Sequence, residues 1–178
     1  MSIRHTTTKN DIKEALTLLL AEKSLEEISI SQLTKKAGIN RSTFYLHYID
    51  KYDLLDQLKE ETLETIHHLL AESLGHPTNA LLDVLTYLYQ NIQFYKEISR
   101  HSQFCLRENI ADFLEEVTHR TPGAVQVVIS SYGVPEKYAL QLFIEGVVGV
   151  ITNWINEGGQ ESPEELATIL LASPGFQW

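Results

Sequence analysis

Apolar residues recur at intervals of three and four along nearly the whole chain, and this period constrains the fold class more than any other feature. Ile12, Ala15, Leu16, Leu19 and Leu20 make the first stripe, which predicts an amphipathic helix over residues 8–22. A long stripe follows through Tyr52, Leu54, Leu55, Leu58, Leu63, Ile66, Leu69 and Leu70, ending near Gly75 and Pro77. Leu81, Leu82, Leu85, Leu88 and Ile92 carry the next helix. Another is expected over residues 94–119, with a break near Ser102, and a short segment sits between "RTPGAV" and "YGVPEK". Residues 135–156 form the most apolar helix, stopped by Gly158 and Gly159. "SPEE" starts the last one, with Ser162 as cap, Pro163 in the first turn and Glu165 closing a capping box. "VQVVIS" is the one β-like run, and its flanks favour a helix. The expectation is an all-α protein of about nine helices without strands.

Between the first stripe and the long one the pattern tightens. Ser29 is placed to cap a second helix, and Gln32, three residues on, completes a capping box. Gly38 ends that helix by accepting a left-handed backbone, and Asn40 caps a third over residues 41–48. Two short helices joined by a three-residue turn containing glycine make a helix-turn-helix. The third helix has the residues a DNA-reading surface needs. A major groove admits one helix and is read by side chains near its N-terminus. Arg41 can pair with a guanine, Ser42 and Thr43 offer hydroxyls, and the tips of Tyr45 and His47 reach phosphates or base edges. Phe44 and Tyr48 lie four apart and pack inward. Lys36 adds a cation at the end of the second helix. Asn40 leaves a helix start facing a phosphate, and Lys51 opens the next helix, where its ammonium would meet the backbone again.

Charge supports a head of this kind on a different body. The 178 residues carry a formal charge of −10, which taken whole opposes binding to a polyanion. Residues 1–53 nevertheless hold eight Lys/Arg against seven Asp/Glu, leaving −11 for the rest, and between residues 29 and 51 Asp50 is the single acid among four basic residues. We therefore divide the chain into a DNA-binding domain over residues 1–53 and an acidic helical body over residues 54–178. The one cysteine, Cys105, cannot form an intramolecular disulfide, and residues 1–13 lack the apolar stretch of a signal peptide. A cytoplasmic protein is expected. The apolar run over residues 140–155 is interrupted by Gln141, Glu145, Thr152 and Asn153 and is short for a membrane span, so no membrane partner is expected.

The stretch "ISISQLTKKAGINRSTFYLHYIDKYDLL" resembles the DNA-binding signature of the TetR/AcrR family of transcriptional regulators. The resemblance covers residues 8–56 and rests on Ala37-Gly38 in the turn, Thr43-Phe44-Tyr45 in the third helix, His47-Tyr48, Lys51 and Leu54-Leu55. It implies DNA contacts from Thr43, Tyr45, His47 and Lys51, with Arg41 and Ser42 at positions that vary between members and set the operator. Ser42 departs from the glycine frequent there. More loosely, "YLYQNIQFYKEI" and "GVVGVITNWINEG" with "SPEELATILL" resemble the short-bodied members from Gram-positive bacteria, a group that includes a regulator of dihydroxyacetone metabolism. The implied plan is a homodimer whose last two helices form a four-helix bundle, bound to a double-stranded DNA operator and answering a small-molecule effector.

The helix over residues 140–155 is apolar nearly all round, and Gly146 and Gly149 give it a smooth strip. It reads as half of a dimer interface, with Phe143, Gly146, Val147, Gly149, Val150 and Trp154, joined by Leu166, Ile169 and Leu170. Burial inside one chain is the alternative. Tyr87, Tyr95, His101, Phe104, Cys105, Phe143 and Trp154 are candidate walls of an effector pocket, though aromatics at helical spacing are more often core. Glu64-x-x-His67 lacks a second copy, the pairs Glu97/His101 and Glu115/His119 suit solvated helix faces, and no phosphate loop or nucleophile motif is present. No metal, cofactor or catalysis is expected. A regulator is the first reading and a co-regulator working through a protein partner the second.

Overall fold

The computed structural model describes residues 3–72, 77–100 and 105–176. Among them are ten helices and no strand: α1 (Ile3–Leu20), α2 (Ile30–Lys36), α3 (Arg41–Tyr45), α4 (Lys51–Glu72), α5 (Pro77–Gln90), α6 (Ile92–Ser99), α7 (Leu106–Arg120), α8 (Ala124–Tyr132), α9 (Glu136–Glu157) and α10 (Pro163–Leu171). The all-α class is as read from the period. The count exceeds nine because the helix expected over residues 94–119 is two, α6 and α7. Cys105, at the start of α7, has φ 46°, a left-handed residue that no continuous helix passes through. The break expected at Ser102 falls outside the described residues. "VQVVIS" is helical, inside α8.

The chain divides into two compact units, Met1–His68 with Gln93–Phe104, and Leu69–Ile92 with Cys105–Trp178. The first unit does not stop at residue 53: it takes in most of α4 and recruits α6 from forty residues further on. Packing explains the recruitment. Ile12, Leu16, Leu25, Leu33, Phe44, Leu54 and Ile98 are fully buried, so α6 contributes to the same core as the helix-turn-helix. The Lys13 ammonium lies 4.8 Å from the Phe94 ring centroid and 5.8 Å from that of Tyr95, a cation–π seat. Burial there pushes the Lys13 pKa down, and the Glu61 carboxylate opposes the shift. Thr62 Oγ1 and the Tyr95 hydroxyl are 3.0 Å apart, which satisfies both where they are buried. Lys9 and Glu61 form an ion pair between α1 and α4.

In the second unit α9 packs against α7 and α8, and α10 against α5. The inner face of α9 buries Ala139, Phe143, Val147, Val148, Ile151, Trp154 and Ile155. At 22 residues α9 exceeds the run read from the sequence and is long and apolar enough, by length and composition alone, to cross a membrane; its inner face is filled by α7 and α8. Tyr89 stacks on Trp154 with centroids 5.9 Å apart, and the indole Nε1 donates to the Glu161 carbonyl at 2.9 Å. Gly175, with φ 98°, lies so close to Phe143 that an added Cβ would stand 2.8 Å from its ring.

Candidate nucleic-acid interface

The helix-turn-helix is assembled by local hydrogen bonds that the sequence specifies. Ser29 Oγ accepts from the Gln32 amide at 3.3 Å while Gln32 Oε1 accepts from the Ser29 amide at 3.0 Å, the expected capping box. At the other end of α2 the Ile39 amide donates to Thr34 O at 3.0 Å and the Gly38 amide to Lys35 O at 3.3 Å, a Schellman closure. Gly38 has φ +67° with nothing within 4 Å of an added Cβ, so backbone conformation and not space calls for glycine there.

Two local expectations are corrected at α3. Asn40 sits in the cap position with extended backbone but makes no side-chain cap bond; its carbonyl accepts from the Thr43 and Phe44 amides instead. The helix is five residues, not eight. Helical bonds nonetheless carry the chain round one more turn, since the His47 and Tyr48 amides both donate to Phe44 O, at 2.9 and 3.0 Å. Phe44 and Tyr48 are therefore held on one side, fully buried, with ring centroids 5.4 Å apart. Arg41, Ser42, Tyr45 and Leu46 face outward and are exposed, whereas Thr43 and His47 are half-buried at the flank. Lys36 and Lys35 stand exposed at the end of α2. Arg41 Nη2 donates to the Tyr45 hydroxyl at 3.3 Å and its guanidinium carbon lies 5.9 Å from the ring centroid, so the ring props the cation outward.

Lys51 is differently placed from the reading above. Its ammonium donates to Leu25 O, Glu26 O and Ile28 O at 2.7, 2.8 and 2.9 Å, which uses all three of its protons on the carbonyls between α1 and α2. It ties the start of α4 to the loop before α2 and holds no spare donor for a phosphate. Asp50 caps α4: its carboxylate accepts from the Tyr52 and Asp53 amides at 2.8 and 2.9 Å, and the Asp53 carboxylate in turn accepts from the Ile49 amide at 2.7 Å. The D-x-x-D spacing was the available signal. The Tyr48 hydroxyl is buried without a hydrogen-bond partner, and burial, helped by Glu61 and Asp53, pushes its pKa up to about 12.

Three of the candidate effector walls are packed into the core of their own unit. Tyr95 is buried beside Thr62 and Phe94, Phe143 against Phe176, and Trp154 against Tyr89. Tyr87 is half-buried, Cys105 is exposed, and His101 and Phe104 lie outside the described residues. Of the set, Trp154 lines an open groove of about 250 Å³ along α9 and α10, with Gly149, Val150, Asn153, Glu157 and Ile169 among its other walls. The candidate dimer residues separate as cleanly. Phe143, Val147, Trp154, Leu166 and Leu170 are buried inside the chain, because α7, α8 and the α5–α10 contact already cover them. Gly146, Gly149, Val150 and Ile169 stay accessible, and an added Cβ at Gly146 or Gly149 would meet nothing within 4 Å.

Comparison with known families settles what kind of head this is. Residues 12–58 match the model of bacterial regulatory proteins of the tetR family, and residues 75–173, more than half the chain, match a transcriptional regulator C-terminal region of the same family. The chain belongs to the TetR family. Members are transcriptional regulators and not enzymes. YxbF of Bacillus subtilis (strain 168), an uncharacterized HTH-type transcriptional regulator, is 22% identical over 179 residues, covering 94% of this chain. The chain spans 45% of the length of that relative. Among solved TetR-family structures, the dihydroxyacetone kinase operon activator DhaS superposes with a TM-score of 0.61 at 21% identity, covering 92% of each chain. The transcriptional regulator FadR of Bacillus subtilis, in complex with stearoyl-CoA, gives 0.60 at 22% identity, covering 90% of this chain and 94% of that one. At such identities the likeness is one of fold.

Proposed function

We propose that this TetR-family chain is a cytoplasmic, sequence-specific DNA-binding regulator that acts as a homodimer on a near-palindromic operator, repressing until a small-molecule effector releases it. The observation that carries the reading is the outward face of α3, where Arg41, Ser42 and Tyr45 stand free of the core beside Lys35 and Lys36. Arg41 supplies bidentate pairing to guanine, Tyr45 and the flanking Thr43 and His47 reach backbone or base edges, and the α2 lysines neutralise phosphate. Lys51 acts by fixing the register of α3 and α4.

Two copies meet through the accessible strip of α9 and the exposed edge of α10, Gly146, Gly149, Val150 and Ile169, which is open in the single chain. A two-fold axis then sets the heads about 34–36 Å apart, one turn of DNA. An effector that binds one spacing of the heads better than another shifts the population toward it. FadR was solved with stearoyl-CoA, and DhaS is an operon activator, so acyl thioesters are the first effectors to try and activation is the second reading of the sign.

The test is a fluorescence-anisotropy titration of the purified protein against DNA flanking its own gene, beside a scrambled duplex, at several salt concentrations. Selective binding that weakens steeply with salt is expected. Weak binding without selectivity would overturn this reading and favour a co-regulator acting through a protein partner.

A further inference from the structure

We propose that Leu46 is a specificity-determining residue that reads the methyl group of a thymine in each operator half-site. The inference rests on the DNA-binding function above and adds a residue that no motif assigned. Leu46 and Ile49 are 79% and 80% exposed, well beyond any other large hydrophobic among the described residues. The exposure is imposed by geometry. Leu46 follows buried Phe44 by two positions, about 200° around a helix, so whatever turns Phe44 into the core turns Leu46 out. It lies four residues after Ser42 and next to Tyr45, and so continues the row that Arg41 begins.

The surroundings select the occupant. From residue 29 to residue 49 the chain has no acidic residue, while Lys35, Lys36 and Arg41 are all exposed, so the surface that approaches this leucine is a polyanion and not an apolar peptide or a neutral lipid face. Within a major groove an isobutyl group can neither donate nor accept. Set against an amino or carbonyl edge it would strip water without replacing the hydrogen bond. The thymine C5 methyl is the one apolar group that the groove displays. Ile49 is the natural control. It lies past the C-cap, where its amide bonds to the Asp53 carboxylate at 2.7 Å and no longer continues the helical ladder.

The experiment starts from duplexes selected by the full chain out of a randomised pool. Each thymine of the preferred duplex is then replaced singly by deoxyuridine, which removes the methyl and nothing else, and affinity is measured for the wild type, Leu46→Ala and Ile49→Ala. One thymine per half-site is expected to lose about fourfold in wild-type affinity on demethylation, the worth of one buried methyl group. That loss should vanish in Leu46→Ala and persist in Ile49→Ala. Both side chains are exposed, so folding is not at stake. The proposal is overturned if no thymine shows methyl dependence, or if the dependence survives in Leu46→Ala. Recovery of no preferred sequence at all would instead overturn the DNA-reading function beneath it.

Discussion

Lys51 and Tyr48 stand off the reading face, yet both bear on it. The Lys51 ammonium donates to three carbonyls between α1 and α2, of which that of Leu25 also accepts from the Ile28 amide. Lys51→Met should therefore destabilise the protein by about 1.5–3 kcal/mol in urea unfolding, as loss of charge-assisted bonds does, while the slope of log affinity against log salt stays unchanged. A slope reduced by about one would mean that the ammonium meets a phosphate after all. Tyr48 is the reverse case, a buried hydroxyl with no partner. Tyr48→Phe should raise stability by about 1 kcal/mol. It should also alter the alkaline limb. Folded Tyr48 holds its proton up to about pH 12 against 10.0 for the ordinary phenol, so its contribution is complete below pH 10 and lost as pH rises toward 12. Denaturant midpoints measured between pH 9 and 12 should fall more steeply for the wild type than for Tyr48→Phe.

The glycines around α9 show how one residue type serves opposite ends within an element. Gly159 has φ +70°, and an added Cβ would stand 2.9 Å from the Tyr89 ring that stacks on Trp154. Gly159→Ala should cost roughly 1–3 kcal/mol from the left-handed backbone alone, with further loss from the displaced ring. Gly146 is helical with open space around it. Gly146→Ala should stabilise the separate chain by up to about 1 kcal/mol through helix propensity. A bulky charge there should act only on assembly: Gly146→Glu is expected to keep its thermal midpoint at low concentration and to sediment as a monomer, whereas the proposed function makes the wild type a dimer. A variant that stays dimeric would move the interface off this strip of α9.

At the scale of the whole molecule, a two-fold dimer reading two half-sites makes affinity depend on their spacing. Five base pairs inserted at the centre of the operator turn one half-site to the opposite side of the duplex and should lower affinity on the order of a hundredfold, as loss of a linked second contact does; gel-shift titration reads this directly. A smaller effect would mean that each head binds alone. Much of this protein follows from its sequence alone. The three-and-four period dictated helices, Ser29/Gln32 and Ser162/Glu165 dictated where two of them start, and Gly38 dictated the turn, because each of these acts through bonds within a few residues. The place of α3 was legible for the same reason, but not its length or its cap. What the tertiary structure decided was which of several available faces each side chain takes. Periodicity marks α9 as apolar but cannot say that Phe143, Val147 and Trp154, the last against Tyr89 of α5, are buried while Gly146 and Gly149 stay open. A basic residue at a helix start reads as a phosphate contact until carbonyls 23, 25 and 26 residues earlier in the chain are found around Lys51. In each case the deciding partner is distant in sequence, and its position is fixed by packing that no local window contains.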